Sequence, residues 1–195
     1  MKRMFAAALL AVLLTACGGE EAAMYIQPAE LSEEEEAVAE LLGADKEQHL
    51  YDVVLDGSEK KVRTSVYKLE DGEWLPIIGG GDGGISLDAE DTRGRMAFGF
   101  QDLSGNFREA VQFGTHFSAV SYQSPEEETG GGRGISFLSE RREIAYGEEI
   151  PLAVQVCGPG DMVLYDVEYF FQPERYAELG YEEVYALTVL FVPAV

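Results

Sequence analysis

Four carboxylates, Asp82, Asp88, Glu90 and Asp91, follow one another closely beside a glycine-rich run at residues 79–84. Calcium takes roughly six to eight oxygens from carboxylates and backbone carbonyls, so this stretch reads as a candidate calcium site. The order does not match an EF-hand loop and does not repeat as a calcium-binding nonapeptide would. A solvated acidic turn is the competing reading. The glycine run also invites a phosphate loop, but that needs a following helix and usually a lysine, and Ile85-Ser86-Leu87 reads as strand instead.

Other reactive types are sparse. The two cysteines are Cys17 and Cys157, and the two histidines, His49 and His116, form no spacing motif with Cys157 that would make it a nucleophile. A buried, apolar role is the reading for Cys157. His116 falls opposite Phe113 and Phe117 in an alternating run, which predicts exposure or a polar contact. Too few His and Cys are present for a zinc site, and Gly-x-Ser-x-Gly does not occur. Among 36 acidic residues some pair must lie at a glycosidase-like separation by chance, so paired acids cannot be assigned from sequence. Tyr165, Tyr169, Phe170, Phe171, Tyr176, Tyr181 and Tyr185 could stack on carbohydrate, although strand spacing favours packing.

These groups must be positioned mainly by strands. Ser32-Glu33-Glu34-Glu35 is a capping box opening a helix over residues 33–42, closed by Gly43. From Tyr51 the period becomes two. Asp56-Gly57 and Asp71-Gly72 are turn signals, which predict a three-strand meander over residues 51–78 with Pro76 marking an edge. Residues 96–100 and 111–117 alternate on either side of a Ser104-Gly105-Asn106 turn, and a phase slip against Phe117 predicts a bulge near Ser118 or a bend between sheets. Further strands are expected at residues 135–138, at 150–156 with an edge-marking Pro151, and at 163–169. Residues 173–179 suggest a short helix ended by Gly180. Residues 185–192 are apolar on both faces except Thr188, the pattern of a central strand. Nine or ten short strands predict an all-β, two-sheet antiparallel sandwich, jelly-roll or immunoglobulin-like, with a partly closed β-barrel as the alternative.

The N-terminus has a different logic. Lys2 and Arg3 precede an unbroken apolar run at residues 5–14, then the small Thr15 and Ala16, as in a secretory signal peptide. The run is too short to span a bilayer. Leu14-Thr15-Ala16-Cys17 resembles the lipobox of bacterial lipoproteins. The resemblance implies cleavage after residue 16 and a diacylglyceryl group on the Cys17 sulfur. It implies an anchor on the outer side of the bacterial cytoplasmic membrane, or in the outer membrane where the host has one. Residues 17–31 then read as an acidic tether and 32–195 as the folded domain.

The net charge is −22, more negative still without the basic leader, which repels nucleic acid and anionic lipid headgroups. The reading that follows is a lipid-anchored extracytoplasmic protein that binds or scaffolds, its partner a protein or glycan met by the loops at 79–84 and 125–133. The alternatives are a surface glycan hydrolase using paired carboxylates and a calcium-dependent adhesion module. No catalytic motif is present.

Overall fold

The computed structural model describes residues 24–41, 48–123, 132–159 and 162–194. Residues 1–23, with the expected leader, Cys17 and the first part of the expected tether, lie outside them. So do Gly43 and most of the 125–133 loop. Among the described residues no helix is long and apolar enough to cross a membrane.

The expected sandwich is present as two six-stranded antiparallel sheets that are not closed into a barrel. The first contains β1 (Tyr25–Pro28), β2 (Gln48–Val54), β6 (Arg93–Gly99), β7 (Phe107–Phe113), β8 (His116–Tyr122) and β10 (Arg142–Glu143), in the order β10-β1-β2-β6-β7-β8. The second contains β3 (Lys60–Glu70), β4 (Glu73–Ile78), β5 (Ile85–Leu87), β9 (Gly132–Phe137), β11 (Glu149–Gly158) and β12 (Glu183–Pro193). Its order is β4-β3-β12-β11-β9, with β5 also on β3. Alternation puts Ile26, Tyr51, Val53, Met96, Phe98, Val111 and Phe113 of the first sheet against Val62, Val66, Leu187 and Val189 of the second, all buried. The Tyr51 hydroxyl donates to the Leu152 carbonyl across the gap at 3.1 Å.

Several expectations are corrected. The tether does not run through residue 31, because Tyr25–Pro28 pairs with both β2 and β10 and buries Ile26 completely. Helix α1 (Glu33–Leu41) has its capping box, with the Ser32 amide and hydroxyl donating to Glu35, but buries no residue. The 51–78 meander is broken: β2 and β3 belong to different sheets. The chain crosses between them at a cluster in which the fully buried Lys60 ammonium meets the Asp56 carboxylate at 2.8 Å and Ser58 and Tyr146 donate to the same oxygen.

Asp71-Gly72 does close the β3–β4 hairpin, both residues at positive φ, and Pro76 lies on an edge strand as expected. Pro151 does not mark an edge. It occupies an interior strand, next to a register shift against β12 and short of Ala153, where pairing with β9 begins, so its missing N–H leaves no gap in that second ladder. The phase slip near Ser118 is a tight hairpin at Gly114-Thr115 that sends β8 back along β7. In consequence Phe113 faces His116, and Phe117 is 62% exposed.

Residues 163–169 are not a strand but irregular chain leading into a 3-10 turn, Val167–Phe171, capped by the Asp166 carboxylate. With α2 (Glu174–Glu178) this segment packs on the outer face of the second sheet, where Trp74 stacks on Phe170 at 5.1 Å. That cover explains why β11 and β12 are buried on both faces. It also separates the aromatic cluster: Phe170, Tyr176 and Tyr185 are core, and Phe171 is exposed.

Candidate functional site

The sandwich has an opening along one side, between the edge strands of its two sheets. Strands β4 and β5 both pair with β3, but β4 covers residues 66–70 and β5 residues 60–62. Residues 63–65 therefore face the glycine-rich loop at 79–84. Glycine is required there by close approach: at Gly79, φ +76°, a Cβ would lie 2.2 Å from the Thr64 carbonyl oxygen, and at Gly84, φ +153°, one would lie 2.7 Å from that of Val62. The Gly80 amide donates to the Ser65 hydroxyl at 3.1 Å. Under the loop lies a cavity of about 200 Å³ lined by Val62, Thr64, Ile85, Glu109 and Tyr122 as well as the glycines and Arg63.

Glu109 gives this cavity its chemistry. It follows Phe107 in the inward phase of β7 and is 1% exposed. Its Oε1 accepts from the Thr64 hydroxyl of the opposite sheet at 2.7 Å, and its Oε2 accepts from the Tyr122 hydroxyl on β8 at 3.2 Å. It has no ion-pair partner among the described residues. Burial raises its pKa, against the smaller opposing effect of the two hydroxyl donors. Burial and the neighbouring carboxyl also push the Tyr122 hydroxyl up to about 12, so Tyr122 keeps its proton and remains a donor. The result is a carboxyl between the sheets at the wall of a cleft, with lone pairs to spare.

The four carboxylates singled out for calcium are not gathered into one group. Asp88 and Asp91 come together with His116 from the β7–β8 hairpin, their ligand atoms all within 4.8 Å of one another. The Asp91 carboxylate already accepts from the Asp88 amide at 2.9 Å and lies 3.9 Å from the His116 Nδ1. Asp82 is fully exposed and 3.6 Å from Arg63, and Glu90 does not join the group. Of the 125–133 loop, Gly132 and Arg133 are described and belong to β9.

Cys157 is buried as expected, its sulfur 3.4 Å from the Gln155 amide nitrogen. Tyr165 and Tyr169 line an open groove with Glu174, Arg175 and Glu178; their rings pack on each other at 4.7 Å, and the Arg175 guanidinium covers Tyr169. The cavity under the loop includes a single carboxyl, Glu109, among its lining residues, whereas a two-acid glycosidase mechanism needs a pair.

Sequence reading selected the loop but missed Glu109. A signal was available: an acid on the inward phase of the alternation Phe107, Glu109, Val111, Phe113. Taking the strand to begin at Val111 hid it. No family model, curated protein or solved structure matches the chain.

Proposed function

We propose that this is a lipid-anchored extracytoplasmic binding protein whose ligand enters the side cleft beneath the 79–84 loop. One observation carries the reading: Glu109 is buried at the wall of an accessible cavity, its partners among the described residues being two hydroxyls. Burying a carboxyl without a charged partner disfavours its ionised form, and a fold tolerates such a group most readily where a ligand completes it. The glycines of the loop let backbone approach β3 closely and leave the cavity open above Glu109. The lipobox resemblance at Leu14-Thr15-Ala16-Cys17 supplies the address.

Two experiments test the two halves. Replacing Cys17 with Ser in the native host is expected to release the protein from the membrane fraction, and unchanged retention contradicts the anchor. Screening a broad small-molecule library against the 15N-labelled full chain is expected to find compounds that shift the amides of Gly80, Gly84 and Ile85. A library in which no chemical class shifts them refutes the cleft as a binding site.

A further inference from the structure

We propose that the cleft takes a small organic ammonium ion, its nitrogen against the Glu109 carboxyl and its short aliphatic part along Val62 and Ile85. The inference rests on the cleft being the binding site and adds the chemical class of the occupant. A carboxylate offers about four acceptor positions, and Glu109 has one hydroxyl partner on each oxygen. The donors still to be supplied match the N–H groups of a primary ammonium. Tyr122 lies on the same wall with one ring face stacked on Phe107 at 4.6 Å, and its hydroxyl oxygen, while donating to Glu109, keeps lone pairs for an ammonium N–H. The net charge of −22 concentrates cations around the chain and repels anions.

Arg63 also lines the cavity, and its Nε is buried without a hydrogen-bond partner among the described residues. Successive residues of a strand point to opposite faces. Thr64 points between the sheets to reach Glu109, so Arg63 is turned to the outer face of β3, where its guanidinium lies 3.6 Å from Asp82. A divalent metal fits less well, because calcium wants roughly six to eight oxygens and the side chains of the lining offer one carboxyl and the hydroxyls of Thr64 and Tyr122, with Arg63 beside them. The cavity, about 200 Å³, has room for on the order of six or seven water-sized groups, the size of a short alkylamine.

The test is an amide-shift titration of the full chain in detergent with n-butylammonium, its neutral counterpart n-butanol, and butyrate. Butylammonium is expected to shift the amides of Gly80, Gly84 and Ile85 saturably, at least tenfold more tightly than butanol, with butyrate inert. Glu109→Gln is expected to bring butylammonium down to the butanol level. Tyr122→Leu, which keeps Glu109, is expected to weaken it several-fold, so the inference remains testable if the Glu109 variant does not fold. Equal binding of butanol and butylammonium overturns the assignment, as does butylammonium affinity unaffected by Glu109→Gln, or the same shifts produced more tightly by potassium or calcium. A neutral or anionic library compound that occupies the cleft while amines do not would refute the ammonium class and leave the site standing. A cleft that no compound enters refutes both.

Discussion

Two buried acids sit in the same β6–β7 hairpin, and the protein treats them oppositely. Asp102, in the connection between the strands, is 4% exposed and accepts four hydrogen bonds: from the Ser104 amide at 2.8 Å, the Ser104 hydroxyl at 2.6 Å, the Gln155 amide at 2.7 Å and the Arg133 guanidinium at 2.9 Å. Burial works to raise its pKa, but those bonds outweigh it and hold the carboxyl below its usual range. Glu109, on β7, is as deeply buried, has two hydroxyl partners and no cation among the described residues, and shifts the other way. A satisfied buried acid is a strut, tying the hairpin to β9 and β11. An acid with capacity to spare beside a cavity is a binding group. Burial alone separates neither case; the partners do.

Removing the strut is expected to have the largest effect. Asp102→Ala leaves the Gln155 amide and the Ser104 groups without their acceptor, and should cost about 3 kcal/mol in urea unfolding. Glu109→Gln, which swaps a costly buried acid for a neutral amide of the same shape, should stay within about 1 kcal/mol of wild type. Equal losses from the two would erase the distinction.

The loop over the cleft comes next. Gly79→Ala forces a Cβ onto the Thr64 carbonyl at a positive φ and should destabilise by about 2 kcal/mol. Gly81→Ala, where a Cβ meets nothing within 4 Å, should change stability by less than about 0.5 kcal/mol. Thermal melts of the pair measure how much the loop depends on its seat against β3. Arg133→Gln sharpens the comparison from the cation side: Arg133 is 46% exposed, so losing its bond to Asp102 should cost only about 1 kcal/mol.

The pH dependence is the subtlest difference, and its sign differs between the two acids. Glu109 holds its proton more tightly in the folded state, so its contribution is complete below the ordinary glutamate value of 4.5 and is lost as pH rises through its raised folded value. Asp102 contributes above the ordinary aspartate value of 3.8 and loses that contribution as pH falls through its lowered folded value. Unfolding free energies of wild type and Glu109→Gln should therefore diverge above pH 4.5, with wild type falling relative to the variant. His49 adds an acid-side slope common to both proteins. It stacks on Phe137 at 3.7 Å, and burial lowers its pKa from 6.5 to about 4, so its contribution is whole above pH 6.5 and is lost as pH falls toward 4.

What the sequence made legible was what local chemistry settles. Alternation predicted the sandwich, Asp71-Gly72 its hairpin, and the apolar run at 185–192 its central strand. What it hid depended on partners distant in the chain. Asp56-Gly57 signals a turn but not that the following strand joins the other sheet, a choice made by Lys60, Ser58 and Tyr146 gathering around Asp56. Residues 163–169 alternate as a strand would, yet the Asp166 cap and the stacking of Trp74 on Phe170 fold them into a turn against β11. The glycine loop was readable as a candidate site from composition alone. For Glu109 the sequence holds only an acid on the inward phase of its strand; its role comes from Thr64 and Tyr122, which reach it from a second sheet and a neighbouring strand.

The most direct test is the titration of the Glu109 side-chain carboxyl, followed by its 13C shift with and without butylammonium. A midpoint above 4.5 in the unliganded protein that moves down as the amine saturates is the predicted result. A midpoint at or below 4.5 without ligand would mean that the carboxyl is already satisfied by the fold, and would contradict its role as a binding group.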